Sequence, residues 1–347
     1  MTSRSAGRST LAIRLVGLIV SLAALWLVIH SVDLGACAAV LATANPIPLA
    51  ACLAIIAIEI ALRSFRWRAL LPPPPAGGRT RLTRIVPVLL VGYLGNAVLP
   101  ARLGEPIRAY LVARREDLDV AEAFGSVVLE RVVDTATLAV VAFVAALAVG
   151  APEWIVQATA IAAVVGSGFT VALVAVGPGR LVRLARRFVA GLPVAARAEP
   201  ILRRLDHFAR GIDRPSRSSV IVVATLISAA CWMFDATIFW LVANSIGVTV
   251  TPAAALLIAA VTVLGTALPS APGYVGTFEL AASTTAQALG VAAAPALALA
   301  VLAHAITVLP SAGGGAVSLL AMNTRLGRLA IDAAGAGRAL GEATTLP

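Results

Sequence analysis

Long apolar runs separated by short clusters of arginine constrain this 347-residue chain more than any other feature. Hydrophobic residues make up 60% of the sequence and charged residues 13%, and the mean hydropathy is +0.95. Soluble domains average about 45–50% apolar and about 25% charged residues, so one soluble core cannot hide so many apolar side chains. The sequence therefore predicts an all-α, polytopic membrane protein rather than a soluble enzyme, a disordered chain or a disulfide scaffold.

Six apolar runs predict membrane-spanning helices, and two shorter runs do not fit that pattern. The six lie at 15–29, 49–62, 126–149, 155–176, 220–242 and 295–321. The shorter runs, 85–99 and 253–268, fall below the roughly 20 residues needed to cross, and each is interrupted by proline before the chain turns back. We expect each to form a re-entrant, broken-helix pair, because irregular backbone at membrane depth is tolerated only inside protein or beside a wet cavity.

The basic residues, all 27 of them arginines, predict the orientation in the membrane. With six crossings and two re-entrant pairs, 26 of the 27 fall on one side. Arginine accumulates on the cytoplasmic side, so both termini are predicted to be cytoplasmic in a protein of the cell (inner or plasma) membrane. No nucleic-acid partner is expected, because the arginines lie between apolar runs. The three cysteines lack metal-ligand spacing, and neither a metal site nor a cofactor is predicted.

The predicted domain organisation is a membrane domain at 1–322 followed by a flexible cytoplasmic tail at 323–347. The first half of the membrane domain covers about 11–150 and the second half about 155–321. Between them, residues 178–217 form an amphipathic connector that is rich in arginine. This connector is expected to lie on the inner leaflet, with the docking of a protein partner as the alternative.

The two breaks share a short sequence similarity. The segment GNAVLPA at 95–101 resembles GTALPSA at 265–271, with one residue fewer before the shared proline. Similar broken elements that enter from opposite faces are typical of inverted repeats, whose binding site lies where the elements meet near the midplane. We therefore expect the two breaks to border one binding site.

Charged residues within the predicted spans carry the functional hypothesis, because a charge at the bilayer centre costs roughly 2.5–3.5 kcal/mol and needs a partner or a cavity. Glu130 and Asp134 share one helix face, whereas Arg131 projects about 100° away. Two carboxylates on one face need a cation between them, supplied by Arg63 or by an arginine of the first break. These residues form either a binding site or a structural network that locks the bundle.

The first break has the residue types of a phosphate site. Gly104 permits a turn, and Pro106 fits the first turn of a helix whose free N–H groups face the break. Arg102 and Arg108, with Glu105 between them, stand beside that helix end, and guanidinium groups bind phosphate well. The alternative is that both arginines extend to the inner membrane interface without binding a ligand.

The second break has matching parts. Gly273 makes the turn, Thr277 is expected to cap the following helix, and Glu279 lies in its first turn, where it either binds a ligand or supports the cap. Trp67 is predicted to anchor the chain at the membrane interface. Glu59 and Arg63 are expected to pair, and the single polar residues of other spans are buried groups or proton carriers. The supporting residues predicted for the site are Glu59, Arg63, Arg66, Asp235 and His304.

Four motifs occur in order along the chain: RSFRWR at 63–68, GNAVLPARLGEPIR at 95–108, LERVVD at 129–134 and PSAPGYVGTFE at 269–279. With them the sequence resembles, over about 10–320, the lysylphosphatidylglycerol synthase transmembrane-region family, also called flippase-like membrane proteins. The resemblance implies a membrane protein that moves or presents lipids, such as aminoacylated phospholipids, hopanoids or glycolipids. It also implies a polar-site role for Asn96, Arg102, Glu105, Arg108, Glu130, Arg131, Asp134 and Glu279.

The synthases carry a soluble aminoacyltransferase domain after the membrane region. This domain is not expected here, because only about 25 residues follow the last predicted span. The predicted function is therefore a lipid translocase rather than an enzyme, with no catalytic residue. It binds the phosphate-bearing head group of an anionic phospholipid or glycolipid. The alternatives are a membrane-embedded transferase acting on a lipid-linked head group and a non-catalytic partner of a separately encoded lipid-modifying enzyme.

Overall fold

The computed structural model describes residues 18–100, 102–190, 195–213, 218–267 and 270–341, and within these ranges all regular elements are helices. This confirms the all-α class. The elements are α1 (Leu18–Ser31), α2 (Leu34–Ala42), α3 (Pro46–Leu70), α4 (Leu82–Val98), α5 (Gly104–Glu116), α6 (Val120–Ala148), α7 (Glu153–Val176), α8 (Pro178–Ala190), α9 (Ala195–Asp213), α10 (Ser218–Ser245), α11 (Pro252–Gly265), the 3₁₀ helix η1 (Pro272–Tyr274), α12 (Thr277–Ala288), α13 (Ala293–Ala321) and α14 (Leu326–Gly341).

Five helices of the described chain, α3, α6, α7, α10 and α13, are long and apolar enough to cross a bilayer. Helices α1 and α2 meet at 85° and add a sixth span if the pair crosses once. The bend follows from Asp33, whose side chain accepts the N–H groups of Gly35 and Ala36 and so begins a new helix. The prediction of a polytopic protein with about six spans is confirmed, although the first span is bent.

Helix α3 is longer than the apolar run that predicts it. Asn45 caps its first turn, and the helix continues through the arginine cluster to Leu70. Residues 59, 63, 66, 67 and 70 recur at helical spacing, so they share one face, which is turned into the protein. The predicted span at 49–62 therefore ends too early, since Arg63 and Arg66 lie within this helix. Both arginines belong to a spanning helix.

Each short apolar helix packs antiparallel against the helix that follows it. Helix α4 contacts α5, and α11 contacts α12, so each pair forms a hairpin. In the first hairpin the left-handed residue is Arg102, with φ 53°, and Gly104 is already helical. Gly104 instead provides close approach. A Cβ added there would lie 1.8 Å from the carbonyl oxygen of Gly92, and its N–H donates to Asn96 Oδ1 at 2.9 Å.

Gly104→Ala is therefore expected to force the two helices of the first hairpin apart. Overpacking typically costs about 1–3 kcal/mol, and backbone atoms cannot move aside as a side chain would. The midpoint of thermal unfolding in detergent should fall clearly. The matched control is Gly168→Ala in α7, where an added Cβ meets nothing within 4 Å. That change should be neutral or slightly stabilising, since alanine favours helix, and equal midpoints for both variants would contradict the packing argument.

The two halves repeat one order of elements. The first half runs in the order bent pair, α3, first hairpin and α6. The second half runs in the matching order α7, α10, second hairpin and α13. The packing repeats as well. The first helix of each hairpin contacts the last long helix of the other half: α4 contacts α13, and α11 contacts α6. The same two long helices also contact the opening element of the other half: α13 contacts α2, and α6 contacts α7. If the bent pair crosses once and neither hairpin crosses, each half has three crossings, and the second half then enters from the opposite side. This is the arrangement expected of an inverted repeat.

The connector and the C-terminal segment pack partly on the bundle. Helix α9 lies against α6, and Leu202 is buried, whereas Leu184 and Phe188 on α8 are exposed. The sequence pattern assigns 323–347 to a flexible tail, but residues 326–341 form α14. This helix buries Leu329 and Ala333 in the cluster that also contains α4 and α5.

Candidate functional site

The tips of the two hairpins meet inside the protein. Arg102, in the first break, donates a hydrogen bond of 2.6 Å to the carbonyl oxygen of Thr266 at the end of α11. Its guanidinium carbon lies 5.3 Å from the ring centroid of Tyr274 in the second break. A Cβ added to Gly273 would lie 3.2 Å from the carbonyl oxygen of Ala97. The two breaks thus border one space, as their sequence similarity predicts.

A polar cavity of about 220 Å³ lies at this junction. Pockets for drug-sized ligands measure about 300–1,000 Å³, so this smaller cavity suits a small polar group. Eight of the residues predicted from the sequence line it: Glu59, Arg63, Asn96, Arg102, Glu105, Arg131, Asp235 and Gly273.

Two groups of charges stand in the cavity wall. On one side Arg63 pairs with Glu59, as predicted, and its Nη2 also lies 2.9 Å from Asp235. This group has two carboxylates for one guanidinium. On the other side Arg131 lies 3.2 Å from Glu105, and both side chains remain partly exposed. Each of these charges therefore has a partner of opposite sign.

Arg102 differs from the other cavity arginines. Among the described residues, no carboxylate lies within ion-pair distance of its guanidinium group, which contacts a carbonyl oxygen and an aromatic ring instead. A partly buried cation with no counter-ion among the described residues favours an anion from outside the chain.

A second cluster, the buried charge network, lies next to the cavity and consists of Arg66, Arg108, Glu130 and Asp134. Arg66 bonds both acids, Glu130 at 2.9 Å and Asp134, and it also donates to Ser228 Oγ at 2.6 Å. Arg108 lies 2.7 Å from Glu130. All four side chains are at most 3% exposed, and their charges cancel.

The structure confirms that a cation lies between Glu130 and Asp134, but this cation is mainly Arg66. Arg66 and Glu130 are on different helices, so sequence spacing gives no sign of the pair. The network lies outside the cavity lining, and of the two readings from sequence it fits the structural one. Breaking a buried pair costs about 3–5 kcal/mol, because the remaining charge has no water around it.

Glu279 and His304 form a third polar unit, which braces the second break. The Glu279 carboxylate accepts the N–H of Gly276 at 2.7 Å and contacts Nδ1 of His304. Nε2 of His304 lies 2.7 Å from the carbonyl oxygen of Gly273. The expectation that Thr277 caps α12 is wrong: the cap is Gly276 with Glu279, and the Thr277 hydroxyl donates to the Tyr274 carbonyl oxygen.

Several residues of the site have only a weak sequence signal. Tyr93 and Tyr274 line the cavity, and so do Thr307 and Ser311, one and two turns from His304 along α13. His304, Thr307 and Ser311 share one face of the apolar helix α13, and this spacing is the sequence signal for the part of the cavity wall that α13 forms. Trp67 is fully buried, and Arg108 lies 4.7 Å from its ring centroid, so its prediction as an interface anchor is wrong.

A second, apolar groove of about 560 Å³ also borders the second hairpin. Helices α1, α7, α11 and α12 form it, and Gly265 and Thr277 are in its wall. The second hairpin and its break thus contribute residues to the polar cavity, Gly273 and Tyr274, and to this almost entirely apolar groove. A polar site beside an apolar groove suits an amphiphilic molecule.

Residues 14–315 match the family described as the lysylphosphatidylglycerol synthase TM region. The chain belongs to this family. It is thus a multi-pass membrane protein of a lipid-handling family, as the four motifs imply.

Two curated proteins are similar to the chain. One is named Glycosyltransferase AglD, from Haloferax volcanii, and is 30% identical over an alignment that covers 89% of this chain. The chain spans 54% of the length of that relative. The other is a UPF0104 membrane protein from Methanothermobacter thermautotrophicus, 24% identical over 68% of this chain and 72% of its own length. No solved structure matches.

Proposed function

We propose that this protein is a lipid translocase that binds a phosphate-bearing head group in the polar cavity. The observation that carries the proposal is Arg102, a guanidinium group where the two breaks meet that has no counter-ion among the residues the structure describes. Charge-assisted hydrogen bonds from arginine to phosphate are among the strongest polar contacts in proteins.

The remaining walls suit the rest of a head group. Asn96, Thr307 and Ser311 offer amide and hydroxyl groups for the hydroxyls of a sugar or of glycerol. Glu59 and Asp235 add carboxylate oxygens that accept from hydroxyl or ammonium groups. Anionic phospholipids and glycolipids with a phosphate both fit this description. The acyl chains stay in hydrocarbon, and the apolar groove beside the second hairpin gives them a surface.

Movement of one half against the other would expose the cavity to either leaflet. The first hairpin supplies Asn96 and Arg102, and the second supplies Gly273 and Tyr274. Because each repeat carries one wall, rocking of the repeats changes the opening without dismantling either wall. We also propose that both hairpins are re-entrant, that the termini and the connector are cytoplasmic, and that the protein lies in the cell membrane, as the arginine distribution predicts.

A membrane-embedded transferase is the second candidate function. The observation that favours it is the similarity to a protein named glycosyltransferase. It requires a group transfer at the same cavity rather than movement of an intact lipid. Incubation of the purified protein with a donor lipid distinguishes the two, because a transferase changes the head group and a translocase leaves it unchanged.

A third possibility follows from the exposed side of α8, where Leu184 and Phe188 lie among arginines. This face suits the inner leaflet or a separately encoded lipid-modifying enzyme. Deletion of the connector residues 180–190 would reduce co-purification of such an enzyme. Transport in liposomes would continue without it, so docking and transport can be measured separately.

The translocase proposal is tested with purified protein in liposomes that contain fluorescent lipids in both leaflets. Dithionite reduces the label only in the outer leaflet, so the loss of the protected fraction measures transbilayer movement. We expect acceleration over protein-free liposomes for lipids with an anionic phosphate and little for neutral lipids. Separate arms carry a phospholipid and a phosphate-linked glycolipid. No acceleration in either arm contradicts the proposal.

A further inference from the structure

We infer that Glu279 and His304 form a proton-binding site whose occupancy controls one wall of the polar cavity. This inference rests on the proposed transport function and names a proton as the coupling ion. The two residues lie on neighbouring helices, α12 and α13, and both side chains are largely buried, with exposed fractions of 11% and 9%.

The hydrogen-bond chemistry of the pair fixes how many protons it holds. A carbonyl oxygen only accepts, so Nε2 of His304 must carry a proton to bond Gly273. An ionised carboxylate also only accepts, so the contact with Glu279 needs a second proton, either on Nδ1 or on the carboxyl group. The pair therefore holds one proton more than an ionised glutamate and a neutral histidine would, and its net charge is zero.

If that proton is lost, one of the two hydrogen bonds of His304 must break. The pair would carry a net negative charge in a buried site, and two acceptors would face each other at Nδ1 or at Nε2. The ring of Phe278 stacks on the imidazole at 4.3 Å, so one face of the ring is closed to water. His304 would then lose its hydrogen bond with either Glu279 or the Gly273 carbonyl group.

The charged group that faces His304 is Glu279. Helix α12 carries no other titratable residue, α11 carries none, and α13 carries only His304. The other helices packed against α13 present their nearest titratable groups to the polar cavity or to an apolar core. These groups are Cys37 on α2, Glu59 and Arg63 on α3, Tyr93 on α4 and Asp235 on α10.

The pair is connected to the cavity wall through the second break. Gly273 and Tyr274 line the cavity, and Arg102 lies over the Tyr274 ring. With the proton bound, α13 holds the carbonyl group of Gly273 and α12 holds the N–H of Gly276. Release of the proton breaks one of the two contacts through which His304 holds this segment, either directly at Gly273 or through Glu279. Protonation thus closes the wall against Arg102, and deprotonation allows it to move.

The first test needs no transport measurement. The full-length protein is labelled with ¹⁵N-histidine in lipid nanodiscs, and the chain has three histidines. Spectra of His304→Gln assign the signals. We expect the ring nitrogens of His304 to change with pH as one proton leaves the pair. A His304 signal that is constant from pH 5 to 9 overturns the inference, whether or not the protein moves lipid.

The second test uses Glu279→Gln in the liposome assay at several pH values. A glutamine amide donates to Nδ1 and still accepts from Gly276, so it holds the wall closed without a titratable proton. We expect wild-type transport to change by up to about tenfold per pH unit where the pair titrates, and the variant to be slow and nearly independent of pH. His30→Gln, at an exposed position on α1, is the control and should follow the wild type.

The outcomes of the two proposals are distinguishable. Wild-type transport that does not depend on pH, or a Glu279→Gln variant with the wild-type pH profile, overturns the proton site and leaves the translocase proposal standing. Absence of any lipid movement contradicts the translocase proposal, and the histidine spectra then still decide whether the pair binds and releases a proton.

Discussion

Arg66→Met is expected to destabilise the protein by about 3–5 kcal/mol, the usual effect of removing one partner from a buried ion pair. Arg66 is 1% exposed and bonds Glu130, Asp134 and Ser228 on two other helices. Methionine fills similar space but leaves Asp134 without its closest cation in a site that water does not reach. The yield of monodisperse protein and the midpoint of thermal unfolding in detergent should both fall.

A second substitution makes this prediction specific. In Arg66→Met with Asp134→Asn, the uncompensated carboxylate is gone, while Glu130 keeps Arg108 at 2.7 Å. We expect the double variant to recover a large part of the lost stability. The control is Arg79→Met in the exposed loop after α3, which should change stability by no more than about 0.5 kcal/mol. If Arg66→Met unfolds at the wild-type temperature, the network does not hold the bundle together.

Arg102→Asn is expected to lower lipid translocation by roughly 10- to 100-fold. Hydrogen bonds to charged groups contribute about 1.5–3 kcal/mol, and 1.4 kcal/mol corresponds to a factor of ten. Asparagine suits the position because Arg102 has φ 53°, and asparagine is enriched among non-glycine residues in this left-handed region. The variant thus removes the cation without straining the backbone, and the liposome assay with a phosphate-bearing lipid measures the loss.

Two comparisons separate binding from folding in this variant. Arg115→Asn removes an exposed arginine at the end of α5 and should transport like the wild type. The unfolding midpoint of Arg102→Asn should stay close to that of the wild type, since the variant loses one hydrogen bond, to the Thr266 carbonyl group, and one contact with the Tyr274 ring, both at a partly exposed position. Full transport by Arg102→Asn would remove the observation on which the proposed function depends.

Local sequence predicted some charge pairs and not others. Glu59 and Arg63 are four residues apart on one helix, so their pairing follows from helix geometry. The role of Gly104 depends on the close approach of Gly92, which only the hairpin shows. The predicted span at 49–62 leaves Arg66 out, because the hydropathy of α3 falls at Arg63 although the helix continues to Leu70. Hydropathy reports the polarity of a segment and not where its helix ends.

The sequence by itself determined the membrane class, the approximate number of spans, the two breaks and the family. These depend on hydropathy, proline positions and short motifs, which are properties of neighbouring residues. Only the tertiary structure decided which charges line a cavity and which hold the bundle together. Arg66 meets an acid 68 residues away and Arg63 one 172 residues away. Such pairs form because buried charges need partners, and helix packing alone determines which partners are within reach.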